Sequence, residues 1–263
     1  MSRLRKQWPL LLVLLCAMAG RAADAPGSAA TQNPASPSAT APSADNLFQL
    51  VDKFWEQQIR ALGGRYLLPK LVHFSEPATR CSLQAPVSGS FYCPREQTVY
   101  LEDSFVQRLL SLGQEGAGNT HGGHDSGGDL ALGYLVAHEV GHHVQAVIGT
   151  TALVEQAESR STPKTARRSW TALELQADCY AGLWAHWART QGVLGPGPDV
   201  DAALAEVAAT AQWWQSHLSG QAQMIDPLTH GSAEQRSAWF RRGFDTGSFN
   251  DCDTFGALAA GKL

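Results

Sequence analysis

The sequence carries no excess of basic charge: 20 lysines and arginines stand against 24 acids, for a formal net charge of -4. Without a large positive field, nucleic-acid binding has no electrostatic support, and no nucleic-acid partner is expected. Nothing repeats at a fixed period, which argues against a solenoid or a propeller. No cysteines are paired as CxxC, which leaves little room for a thiolate zinc cluster. The apolar run from Trp8 to Ala19 is shorter than the roughly 20 residues of a comfortable transmembrane helix.

That run is still informative. Arg3, Arg5 and Lys6 precede it, and small-residue cleavage sites follow at Ala17-Met18-Ala19 and Ala23-Asp24-Ala25. Residues 1–25 therefore read as a secretory signal, with an uncleaved inner-membrane anchor formed by residues 8–19 as the alternative. Leu15 before Cys16 argues against a lipoprotein cysteine, where a small residue is usual. Residues 26–45 are almost wholly Pro, Ala, Ser and Thr; they cannot bury apolar surface and read as a disordered tether. Residues 46–263 suffice for one domain with its own core. Beyond Cys16 stand Cys81, Cys93, Cys179 and Cys252. An even number in an exported chain, periplasmic or secreted, invites two disulfides. Of three possible pairings, Cys81–Cys93 closes a short loop and is preferred, with Cys179–Cys252 by elimination; four unpaired thiols are the alternative.

The pattern is mainly helical with a small extended part, an α+β arrangement. Leu47, Leu50, Val51, Phe54 and Ile59 fall at helical spacing. Tyr66 to Cys93 reads as short strands with turns, and TVYLEDSFVQRLLSL begins extended and becomes a helix. Gly113 to Gly128 reads as a flexible loop. A long helix follows, with Asp129 as N-cap and Gly149 as stop. Residues 150–168 read as a surface loop with some helix. Further helices are expected from about Trp170 to Arg189, from Asp199 to Ser219, and from Ser232, where SAEQ forms a capping box. The tail after Phe255 reads as mobile.

The strongest chemical signal is His138-Glu139-Val140-Gly141-His142. Residues four apart share a helix face, so both imidazoles can converge on one zinc ion, while Glu139 sits beside them to take a proton from water. A third ligand is needed, and Glu174 or Asp178, also four apart, can provide it. The other carboxylate can then hold a ligand imidazole by its far nitrogen. His143 points about 100° away from His142 and reads as structural or as part of a cleft edge. His121 and His124 read as solvated loop residues; His73, His186 and His217 have no supporting constellation. His230 precedes a capped helix, where its ring can donate to the oxyanion of a tetrahedral intermediate or serve an ordinary structural role. Arg236 on that helix can pair with an acid or position substrate.

The stretches LVHF, SGSFYCP, VYLEDSF, LGYLVAHEVGHHVQ, LELQADCYAGLWA, DPLTHGSAEQRSAWFRRGFDTG and CDTF together resemble the bacterial family of neutral zinc metallopeptidases, over nearly all of residues 46–255. The resemblance implies a zincin-like single domain holding one Zn2+ per chain. It implies His138, His142 and Glu174 as ligands, Glu139 as general base and Asp178 behind a ligand histidine. The THG segment also resembles that of membrane-associated zinc proteases of the same broad class, which supports a catalytic His230. Two features depart from the family pattern: the Gly113–Gly128 loop is longer, and the stretch between Gly149 and Trp170 is distinctive. The expected activity is hydrolysis of peptide bonds in a peptide or protein substrate, by endopeptidase rather than exopeptidase action. A zinc amidase acting on cell-wall peptides, and an inactive zinc-stabilised binding module, are the alternatives. Membrane association through the N-terminal segment stays open, and the sequence leaves the oligomeric state undetermined.

Overall fold

The computed structural model describes residues 43–75, 81, 89–116, 127–194, 199–205, 207–208 and 230–263. The expected signal and nearly all of the tether, as well as His121, His124 and His217, lie outside these residues. Helix α1, Ala44–Ala61, begins within two residues of its expected start, with the Ser43 hydroxyl accepting from the Asn46 N–H. Its buried face carries Leu47, Val51, Phe54, Trp55 and Ile59.

Three strands follow: β1 (Lys70–Phe74), β2 (Phe91–Cys93) and β3 (Thr98–Glu102), in the order β1-β3-β2. β1 runs parallel to β3 with Lys70 opposite Thr98, and β2 runs antiparallel with Phe91 opposite Tyr100. Central β3 is buried at every position. Phe74, Phe91 and Tyr100 gather with Cys93 into a small separate core, and the Cys81–Cys93 disulfide ties Cys81 to β2.

The main core is helical. Helices α2 (Asp103–Gly116), α3 (Gly127–Val147), α4 (Thr150–Glu158) and α5 (Pro163–Thr190) precede α6 (Ala233–Thr246), a 3-10 turn at Phe249–Cys252 and α7 (Thr254–Ala259). α3 is buried on nearly every side from Leu130 to Val140, as an apolar helix in the middle of a domain must be. α5 and α6 cross at two glycines. A Cβ on Gly182 would lie 2.1 Å from the Phe240 carbonyl oxygen, and one on Gly243 would lie 2.1 Å from that of Cys179. Any side chain at either position would drive the helices apart.

Four expectations change. Of the loop expected at Gly113–Gly128, residues 113–116 belong to α2 and 127–128 to α3, the rest lying outside the described residues, so Asp129 stands within the helix rather than capping it. The stretch 150–168 is mostly helical: Gly149 ends α3 and opens α4 from a left-handed conformation. Thr162 then caps α5, with Pro163 in its first turn, seven residues before the expected start. The C-terminal tail is anchored. Asp253 caps α7, the Thr254 hydroxyl donates to the Ala172 carbonyl at 2.7 Å, and Leu263 packs on the core. Of the helix expected over Asp199–Ser219, residues 200–205 and 207–208 are helical, Asp199 precedes them, and the remainder lies outside the described residues. The second disulfide, Cys179–Cys252, joins α5 to the 3-10 turn. No helix among the described residues is long and apolar enough to cross a membrane.

One buried acid off the site has a consequence for stability. Asp52 on α1 accepts from the Tyr66 hydroxyl at 2.7 Å. Burial pushes its carboxyl up to about 7; the Tyr66 hydrogen bond works against this shift and the charge of Glu56 adds to it. Between about pH 4 and that value the folded chain holds a proton the unfolded chain has released, so stability falls as pH rises through the window. Asp52→Asn keeps an acceptor for Tyr66 and cannot ionise. Its melting temperature should gain on the parent between about pH 5 and pH 8; a constant difference across that range would rule this out.

Candidate metal centre

α3 and α5 cross where Gly141 meets Ala177. A Cβ on Gly141 would lie 3.3 Å from both the Cα and the carbonyl oxygen of Ala177, a tight contact that bare glycine relieves. Gly141 lies between His138 and His142, and Ala177 lies between Glu174 and Asp178. The crossing therefore sets two i,i+4 pairs face to face.

The result is a tight cluster. The Nε2 atoms of His138 and His142 are 3.1 Å apart, and Glu174 Oε2 lies 3.3 Å from the first and 3.5 Å from the second. His138 and Glu174 are buried and His142 half-buried. Among the described residues these three form the one group of His, Cys, Asp and Glu side chains able to hold a metal ion.

The proton positions make the case for a cation. Nδ1 of His138 lies 2.8 Å from Asp178 Oδ1. Asp178 has no exposed surface; burial opposes its charge, but the Arg236 guanidinium outweighs that and holds its carboxyl well below the usual range. An ionised carboxylate only accepts, so Nδ1 of His138 carries a proton, and in the neutral ring Nε2 presents its lone pair. Nδ1 of His142 lies 2.9 Å from Gln145 Oε1, which asks for the same tautomer. With both rings neutral, two lone pairs and a carboxylate oxygen face one another with no proton between them. Tetrahedral zinc, with bonds of roughly 2.0–2.1 Å to nitrogen and oxygen, separates its ligand atoms by about 3.3 Å. The three observed separations bracket that figure, and two imidazoles with one carboxylate suit zinc.

Without a cation the cluster takes protons instead. Burial opposes charge on His142, yet Glu174, followed by Glu139 and Gln145, pushes it up to about 9. Burial likewise disfavours charge on Glu174, but His142 and His230 hold its carboxyl well below the usual range.

The remaining predicted residues are distributed as follows. Glu139 is buried on α3 beside His138 and His142, close enough for its charge to act on His142. His230 stands just before α6, followed by Gly231 in the left-handed region, and its Nδ1 donates to Glu174 Oε2 at 2.6 Å. Arg236 on α6 grips Asp178 with two bonds of 3.1 Å, from Nε to Oδ2 and from Nη2 to Oδ1, and also donates to the Tyr134 hydroxyl. Tyr134 donates in turn to Asp178. Arg236 thus takes the acid-pairing role among its two expected ones. His143 is wholly buried away from the cluster, its Nδ1 facing the Tyr92 hydroxyl at 2.9 Å and its Nε2 donating to the Leu67 carbonyl at 2.5 Å. It braces α3 against β2 and the strand-leading loop, so of its two expected placements the cleft edge drops out.

Tyr134, Gln145 and Gln176 were not among the expected site residues. Helical spacing held a signal for the first two, since Tyr134 lies four residues before His138 and Gln145 three after His142.

The Escherichia coli (strain K12) protein named "Uncharacterized protein YpfJ" is 39% identical to this chain over 204 residues, covering 77% of this chain and 67% of its own. The Mycobacterium tuberculosis (strain H37Rv) protein named "Uncharacterized protein Rv2575" is 36% identical over 222 residues, 80% of this chain and 69% of its own. No solved structure matches significantly. The family model described as "Putative neutral zinc metallopeptidase" matches residues 9–255, which include every residue of the centre, and the chain belongs to that family.

Proposed function

We propose that the protein is a zinc-dependent endopeptidase, cleaving internal bonds of peptides or proteins with one zinc per chain. The observation that carries this reading is the His138, His142 and Glu174 ligand set at tetrahedral spacing, with Glu139 buried beside it. Zinc held there would supply a Lewis acid and make a nearby water easier to deprotonate. Glu139, which donates nothing to the ligand set, removes a proton from the attacking water and later delivers it to the departing amine. Asp178 and Arg236 fix the ring of His138. His230 supports the oxyanion. With Nδ1–H given to Glu174, its ring offers a second donor at Nε2 only as the imidazolium, a state that Glu174 favours against burial.

The two disulfides fit an exported protein, and the apolar run at Trp8–Ala19 supports export or attachment to a membrane. No basic field supports a nucleic-acid partner.

Metal analysis of purified protein should find about one zinc per chain, and peptides blocked at both ends should be cut. A chelator should stop the cutting and zinc should restore it. A chain that takes up no zinc sinks the reading. Cleavage of unblocked peptides alone would make it an exopeptidase, and cleavage of cell-wall peptides alone would make it an amidase. Stoichiometric zinc with no hydrolysis of any of these would favour a binding module.

A further inference from the structure

Gln145 has no exposed surface and sits on the helix that carries both histidines. Its Oε1 lies 2.9 Å from His142 Nδ1, and its Nε2 donates to the Leu173 carbonyl at 2.7 Å and to Gln176 Oε1 at 3.1 Å. Gln176, also buried, donates from Nε2 to the Cys252 carbonyl at 3.2 Å.

A side-chain amide can sit either way round, so its partners must decide its orientation. Here two backbone carbonyls decide it, because a carbonyl can only accept. The Cys252 carbonyl demands the NH2 group of Gln176, which turns Gln176 Oε1 toward Gln145. The Leu173 carbonyl demands the NH2 group of Gln145, in agreement. Only Oε1 of Gln145 is then left for His142, and a buried oxygen there needs an N–H opposite it. The Cys179–Cys252 disulfide anchors the far end of this chain of bonds to α5, three residues beyond Gln176 on the same helix.

We infer that Gln145, oriented by Gln176 and by the Leu173 and Cys252 carbonyls, is a positioning residue that holds the proton of His142 on Nδ1 and so keeps Nε2 available to the metal. This rests on reading His138, His142 and Glu174 as the zinc site. It also explains why the two histidines are held differently. Asp178, behind His138, has Arg236 to balance its charge. A carboxylate in place of Gln145 would face two carbonyl-type oxygens in a buried site that already contains Glu139 and Glu174. A neutral amide imposes the same tautomer and adds no buried charge.

The test combines zinc affinity, from competition with a chelator, and proton–nitrogen spectra of the histidine rings in the zinc-loaded protein. In the parent, His142 should carry its proton on Nδ1, in slow exchange with water. Gln145→Met, of similar size and without the acceptor, should lower zinc affinity about 10–100-fold and expose that proton to exchange. Gln176→Met should act in the same direction but less, because the Leu173 carbonyl still orients Gln145. A folded Gln145→Met protein with parental affinity and parental His142 signals overturns the inference and leaves the zinc site standing. So does a proton on Nε2 of His142 in the zinc-loaded parent, a result that needs no variant to fold. A parent that binds no zinc removes the site reading itself, and this inference with it.

Discussion

Glu139→Gln should keep its zinc and its melting temperature while turnover falls by about 10²-fold or more. Glutamine matches glutamate in size and keeps an acceptor oxygen but cannot take a proton at neutral pH. The proposed ligand set is His138, His142 and Glu174, so the substitution leaves all three in place. The loss should appear in kcat, since the proton transfer belongs to the chemical step. Metal analysis beside turnover on one blocked peptide reads both quantities. Full turnover in Glu139→Gln would defeat the mechanism whatever the metal content. Loss of zinc together with activity would show that Glu139 helps to hold the metal, contrary to the geometry.

Asp178→Asn should produce the largest loss of stability at the site. Asp178 has no exposed surface, and its two oxygens receive His138, Tyr134 and both arms of Arg236. Asparagine can accept at one oxygen only. Its NH2 group would meet an Arg236 donor, and the guanidinium would lose its buried counter-charge. Removing one partner of such a pair typically costs about 3–5 kcal/mol, or a melting temperature lower by about 10 °C in a domain of this size. Zinc affinity should also fall, by about 10–100-fold, because the His138 ring loses its charged support. The pH dependence has a definite sign. The folded-state pKa of Asp178 is depressed, so its contribution is complete above the unfolded value of about 4 and is lost as pH falls through the folded one. The gap between parent and variant should therefore be full at neutral pH and close only in strong acid. Denaturant midpoints across that range, together with chelator competition, measure both effects. A variant as stable as the parent at neutral pH would mean that Arg236 is not held by this pair.

Much of the site was legible because its first step is local. His138 and His142, and Glu174 and Asp178, share helix faces by spacing alone, and no tertiary knowledge is needed to see it. The capping box at Ser232 and Gln235 was readable for the same reason, and both of its bonds are present. Helix boundaries were less so. The stretch before Trp170 is polar, basic and largely exposed, so it lacks the apolar periodicity that marks a helix, yet the Thr162 cap and Pro163 start α5 there. The C-terminal tail looked mobile because its residues are small, and what anchors it lies far away in sequence, at Ala172.

The sequence by itself determined that two imidazoles, a neighbouring glutamate and a second pair of carboxylates would sit on two helices, because a 3.6-residue period makes positions i and i+4 neighbours whatever surrounds them. It could not tell from spacing which of Glu174 and Asp178 lies beside the histidine Nε2 atoms, since both belong to the same stripe of α5. Nor could spacing show where Arg236, Gln145 or His143 would find partners. Tertiary structure decided these. The α3–α5 crossing at Gly141 and Ala177 brings both carboxylates to the histidines. α6, packed on α5 through Gly182 and Gly243, then sends Arg236 to Asp178 and His230 to Glu174. With its two oxygens taken up by Arg236, Tyr134 and the far side of His138, Asp178 stays behind the ring. Glu174 keeps an oxygen within 3.5 Å of both ligand nitrogens. Which of the two carboxylates is left facing the histidine nitrogens depends on the partners that the neighbouring helix brings to each.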